Sequence, residues 1–156
     1  MVVEVIAIRL DMRPTGKARP RERGRLPTAY RNWKKAAAVE LAAHLQAAGW
    51  IYLDRDPHRA GVVVEITGYH RRPKAPPAWM DATERAAFRA GWTPPRLSTP
   101  DADNMAGAVL DALSDTGRAW HDDTQAILGR CYSTWAQAGE DPHILITLEP
   151  MKWPTP

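Results

Sequence analysis

"TPDADNMAGAVLDALSDTGRAWHDDTQAILGRCYSTW", residues 99–135, sets a helical pattern between two pairs of aspartates and then runs out into a strand. Met105, Val109, Ala112 and Leu113 recur at helical spacing and predict a helix from Asn104 to about Ser114. "TQAILGRCYSTW" (124–135) and "HILITLE" (143–149) read as two strands joined by a turn around "AGEDP". A helix delivered onto strands in this way needs more sheet upstream. "VVEVIAIRL" (2–10) and "AGVVVEITGYH" (60–70) supply it. Between those two strands Thr28 is placed to cap a helix from about Ala29 to Ala48, ended by Gly49. Its apolar stripe is Tyr30, Trp33, Ala37, Leu41, His44, Leu45 and Ala48, with His44 at the edge in a structural role. The order β, α, β, insertion, α, β, β predicts an α/β (α+β) chain with one mixed sheet and helices packed against it.

Two stretches interrupt this pattern. "DMRPTGKARPRERGRLPT" (11–28) carries three prolines and two glycines and reads as a loop. Residues 71–100 are rich in proline and basic residues, with "DATERAAFRA" (81–90) as a short helix capped by Asp81. We read the second stretch as a long surface insertion in a single domain spanning 1–156; loops of this length are usually functional or mobile. Trp79 and Trp92, set among Arg71, Arg72, Lys74, Arg85, Arg89 and Arg96, have two readings. They stack on nucleic acid, or they pin the insertion to the body.

A length of 156 residues, with 44% hydrophobic and 25% charged, suits one ordinary globular core. No apolar run approaches a membrane span and no export signal opens the chain, so we expect a cytoplasmic protein without membrane contact. A lone Cys131 forms no internal disulfide and reads as a half-buried strand residue. The distribution of charge says more than the net value of +3. Residues 1–35 hold Arg9, Arg13, Lys17, Arg19, Arg21, Arg23, Arg25, Arg31, Lys34 and Lys35 against Glu4, Asp11 and Glu22. From 101 to 149, nine acids face Arg118 and Arg130. A basic segment and a separate acidic cluster suggest a polyanion held by one and a metal by the other, or else two solvated faces.

The acidic cluster is Asp101, Asp103, Asp122 and Asp123. After Pro100 the chain should be extended, which puts Asp101 and Asp103 on one face, roughly 7 Å apart. The following helix of about 10 residues carries the chain about 15 Å away. The eight residues of "DTGRAWHD" are enough to bring Asp122 and Asp123 back to its start. Oxygen donors of this kind suit Mg²⁺. A helix cap with a neighbouring turn carboxylate is the competing reading. A calcium loop is excluded, since Ala106 stands where glycine is required and Ala112 where glutamate is.

Taken together these residues resemble the RusA family of Holliday junction resolvases. The likeness rests on "PTGKARPR" (14–21), the tyrosine- and tryptophan-bearing helix, "TPDADNMAGAVLDAL" (99–113) and "WHDDTQ" (120–125). It implies a RusA-like fold and a homodimer that uses Mg²⁺, or Mn²⁺, to make paired nicks in four-way DNA junctions, in recombination, repair or phage DNA processing. It carries catalytic and metal-binding roles to Asp101, Asp103 and Asp123, with Asp122 a near neighbour at the metal. Lys17, Arg19, Arg21, Arg23 and Lys74 are then the expected DNA contacts, holding phosphates and so position rather than sequence. Two residues depart from the family pattern, which has lysine at Thr99 and at Gly107. Without a lysine at 107, either another cation acts or the chain binds junctions with weak or lost cleavage. Lys74, Arg96, Arg118 and His121 are candidate substitutes.

Overall fold

The computed structural model describes residues 4–20, 24–50, 60–98 and 100–151. In chain order the elements are β1 (Ile6–Leu10), α1 (Thr28–Ala47), β2 (Val62–His70), α2 (Ala82–Arg89) and α3 (Ala102–Asp115). A 3₁₀ turn (Asp123–Gln125), β3 (Ala126–Trp135) and β4 (His143–Pro150) complete them. The four strands form one mixed sheet in the order β1-β4-β2-β3. β4 runs antiparallel to both β1 and β2, while β3 lies parallel to β2. A parallel pair cannot be closed by a tight turn. Here α2, α3 and their connections make the crossover, so α3 is carried along the sheet against the direction of β2 and β3.

Period-two alternation decides which face is buried. Val62, Val64 and Ile66 of β2 and Ile144, Ile146 and Leu148 of β4 point into the core, whereas Glu65 and Leu145 are exposed. The same core takes Ala37, Leu41 and Leu45 from α1 and Met105, Val109, Ala112 and Leu113 from α3. The four stripe residues expected from the sequence are all buried, and Ala106 and Ala108 join them.

Several boundaries differ from expectation. β1 begins at Ile6 and β2 at Val62, while residues 2 and 3 lie outside the described residues. Thr28 is the first residue of α1 rather than its cap. Pro27 occupies the cap position with no side-chain hydrogen bond, and the Thr28 hydroxyl instead accepts from Arg31 Nη2 at 3.3 Å. His44 and Ala48 are exposed, so the buried stripe of α1 ends with Leu45. Residues 123–125 tighten into the 3₁₀ turn, and β3 starts only at Ala126.

Residues 71–100 are held by the expected Asp81 cap and by contacts that the sequence does not advertise. Asp81 caps α2 in a reciprocal capping box, its carboxylate accepting from Glu84 N and its own N–H donating to Glu84 Oε2, both at 2.8 Å. The Arg72 guanidinium stacks over the Phe88 ring at 3.8 Å and donates to the carbonyls of Phe88, Trp92 and Ala136. Phe88 in turn meets Trp135 edge-on at 5.6 Å. Trp79 and Trp92 remain 63% and 42% exposed, so Phe88 and Arg72 pin this stretch rather than those indoles. Among the described residues no helix is long and apolar enough to cross a membrane.

Candidate active site

Asp101 and Asp103 stand at the start of α3. Asp101 is its N-cap, accepting from Asn104 N at 3.2 Å, and Asp103 lies in the first helical turn. The extended geometry expected for this pair is therefore corrected: the helix begins at Ala102, two residues before the expected start at Asn104, because the cap comes from Asp101 itself. Both carboxylates are exposed, at a helix end whose dipole favours negative charge. Cys131 Sγ donates to Ala102 O at 2.8 Å and so fixes this end of α3 beside the middle of β3. Burial, with Asp103 near by, pushes the Cys131 thiol above its ordinary value, so it stays protonated and structural.

Asp122 and Asp123 sit at the far end of the same helix. Trp120 is buried with its indole N–H on Ser114 Oγ at 3.0 Å, which ties the segment before the aspartates to the close of α3. Asp122 caps the 3₁₀ turn through Thr124 N at 2.9 Å, and the bonds from Thr124 hold its carboxyl below the usual range. Buried Gln125 locks the turn in place. Its Oε1 accepts from the N–H groups of His121 and Asp122 at 2.8 and 3.0 Å, and its Nε2 donates to Ala60 O at 3.1 Å.

The two acid pairs are thus separated along the sheet. Ala126, just after the turn, pairs with Val62, while Cys131, beside Ala102, pairs with Ile66. Four strand residues span roughly 13 Å, and a 14-residue helix is about 21 Å long. The return of Asp122 and Asp123 to the start of α3, expected from linker length, does not occur within one chain. The linker is long enough, but Trp120 and Gln125 anchor it at the opposite end. Among the described residues no group of three or more His, Cys, Asp or Glu side chains is placed to hold one ion.

The basic loop completes the near end. Lys17, Arg19, Asp101, Asp103 and Asn104 line an open cleft of about 510 Å³. Lys17 N donates to Asn104 O at 2.9 Å, and Lys17 Nζ pairs with Asp111 Oδ1 at 3.0 Å. The other oxygen of Asp111 accepts from the Tyr30 hydroxyl at 2.9 Å, and burial together with this bond raises the Tyr30 phenol, keeping it a donor. Arg21 and Arg23 lie outside the described residues. Lys74 lines a different cleft with Arg71, Arg89 and Glu140, away from the aspartates. Arg96 donates to Ser98 O at 3.1 Å and Pro100 O at 3.4 Å, holding the approach to Asp101. Sequence reading overlooked Asp111 and Tyr30, although "DAL" (111–113) put Asp111 one and two turns beyond Gly107 and Asp103 on a shared helix face.

An acidic helix start facing a basic loop sets carboxylates that could take a cation beside cations that could take a phosphate. Residues 11–149 match the family described as endodeoxyribonuclease RusA, and the chain belongs to that family. It is therefore a nuclease that hydrolyses DNA phosphodiester bonds, of the class that resolves Holliday junctions, in a family generally dependent on divalent metal. No curated protein matches the chain.

Proposed function

We propose that this chain nicks four-way DNA junctions with Mg²⁺, or Mn²⁺, at a site built on Asp101, Asp103 and Asp123, with Asp122 beside it. The observation that carries the reading is the cleft in which Asp101 and Asp103 face Lys17 and Arg19. The donors fit the ion: all are hard carboxylate oxygens, and Mg²⁺ characteristically takes one or two carboxylates and leaves the remaining positions to water and phosphate. When bound, the ion supplies an activated water and neutralises charge at the phosphate. Asp101, already oriented by its capping bond, and exposed Asp103 hold the site open at the helix start. Arg19 and the basic loop bind the phosphates of the arms. Lys74 and the exposed Trp79 and Trp92 offer contacts to an arm farther out on the 71–100 insertion of a single nuclease domain.

Because Asp123 stands at the opposite end of α3, a homodimer is the arrangement that supplies it. A two-fold partner brings its own Asp122–Asp123 turn to the Asp101 end, giving two equivalent sites on a substrate that is itself nearly two-fold symmetric. A second reading, a junction binder with weak cleavage, is favoured by Gly107 alone.

The test is a synthetic four-way junction incubated with and without Mg²⁺. Paired nicks that require the metal, and that vanish in Asp101→Asn, Asp103→Asn and Asp123→Asn, support the nuclease site. Tight, salt-sensitive binding with intact strands under either metal supports the second reading instead.

A further inference from the structure

The loop of residues 11–20 lies on α3 more closely than a phosphate-binding loop requires. Trp33 Nε1 donates to Arg13 O at 2.9 Å, and Pro14 packs on Gly68. A Cβ at Gly16 would stand 2.9 Å from Pro100 Cβ and 3.0 Å from Asn104 Nδ2, so only glycine lets the loop pass there. On the helix side the counterpart is Gly107, where a Cβ would meet Lys17 Cδ at 3.2 Å and Lys17 Cβ at 3.5 Å. The stem of Lys17 therefore fills the notch of a missing helical side chain. Its ammonium then ends on Asp111, which Tyr30 holds from the other side. Arg19, two residues on, is exposed, lines the cleft with Asp101 and Asp103, and makes no ion pair to a described residue.

We propose that Lys17 is a positioning residue rather than a phosphate contact. It is a clasp, seated in the Gly107 notch and fastened to Asp111 and Tyr30, that holds the loop across α3 and aims Arg19 at the acidic cleft. Arg19 is then the cation that meets the phosphate at the reacting centre. This last role rests on the nuclease reading; the clasp itself does not. The arrangement also assigns a purpose to Gly107. A Cβ there would press on the Lys17 stem at 3.2 Å, and a larger side chain would have to displace it.

The clasp and a phosphate anchor behave oppositely in measurable ways. The ammonium is already neutralised by Asp111, so Lys17→Met leaves the slope of log affinity against log salt for a four-way junction nearly unchanged. Loss of a true phosphate contact flattens that slope by about 0.9. At saturating junction, Lys17→Met, Asp111→Asn and Gly107→Leu each slow nicking by roughly tenfold or more, and Arg19→Gln by roughly a hundredfold. The double variant Lys17→Met with Asp111→Asn is no slower than the worse single, and its melting temperature shows the same lack of additivity. A slope flattened by about 0.9 in Lys17→Met, or additive losses in the double variant, overturns the clasp. A wild-type chain that nicks nothing defeats the nuclease reading separately, and the salt slopes and melting cycle still decide the clasp.

Discussion

The two ends of α3 carry the same chemistry in opposite mechanical settings. At its start, Asp101 spends one oxygen on a cap and the Asp103 carboxylate accepts from no described residue, both facing an open cleft beside a basic loop. At its close, Asp122 and the turn around it are tied down by Thr124, Gln125, Ala60 and Trp120. The first pair is poised to receive a ligand. The second is exposed on a firmly anchored turn. On the proposed dimer, the open end of one copy would receive the anchored turn of the other.

The sharpest way to break this contrast is complementation. Asp103→Asn and Asp123→Asn should each lower nicking by at least about 10²-fold as homodimers. When the two variants are mixed and allowed to exchange protomers, one composite site regains its full carboxylate set and activity returns to a sizeable fraction of wild type. Activity that stays at the level of the separate variants would mean that each site draws its acids from one chain.

Both ends depend on the helix body between them. Leu113 is fully buried, and Leu113→Ala should cost about 2–5 kcal/mol in denaturant unfolding while leaving the cleft and turn to fail together. Loss of one end alone would show that the pairs are independently supported.

Acid should act on the cleft end first. His70 is buried with Nε2 2.7 Å from Ser133 Oγ, and desolvation, then Arg96 and Arg13, lower its pKa from 6.5 to about 4. The folded chain keeps this imidazole neutral while the unfolded chain protonates it. Stability therefore falls as pH drops from about 6.5 towards about 4, by up to about 3 kcal/mol, and the effect is flat below that. Melting scans of wild type and His70→Gln across this range check it, since the variant should lose the slope.

The smallest expected effect separates a cap from a ligand. Asn caps as well as Asp, so Asp101→Asn should leave stability within about 0.5 kcal/mol, whereas Asp101→Ala costs about 1 kcal/mol. Nicking should be lost in both. A Asp101→Asn chain that still nicks would confine Asp101 to its capping role.

Local periodicity made most of this fold readable. The α3 stripe, the Asp81 cap and the alternation in β2 and β4 are signals within a few residues of one another, so the element order is legible in the sequence itself. The candidate residues were legible as well, since paired aspartates in a basic chain demand an explanation. What the sequence did not carry was placement. A linker of sufficient length permits a return but does not compel it, and the anchors that decide the matter, Trp120 on Ser114 and Gln125 on Ala60, join residues far apart or of unremarkable type. Gly107 read as a deficit in one dimension. In three it is a space that Lys17 occupies.

One consequence follows from hanging both acid pairs on a single uninterrupted helix. α3 is a ruler: its 14 residues fix how far the Asp122–Asp123 turn lies from the cleft, and in the proposed dimer that length would set how far apart the two reaction centres fall. Inserting one helical turn would push that spacing out by about 5.4 Å without touching a single carboxylate, moving the positions of the cuts rather than abolishing them.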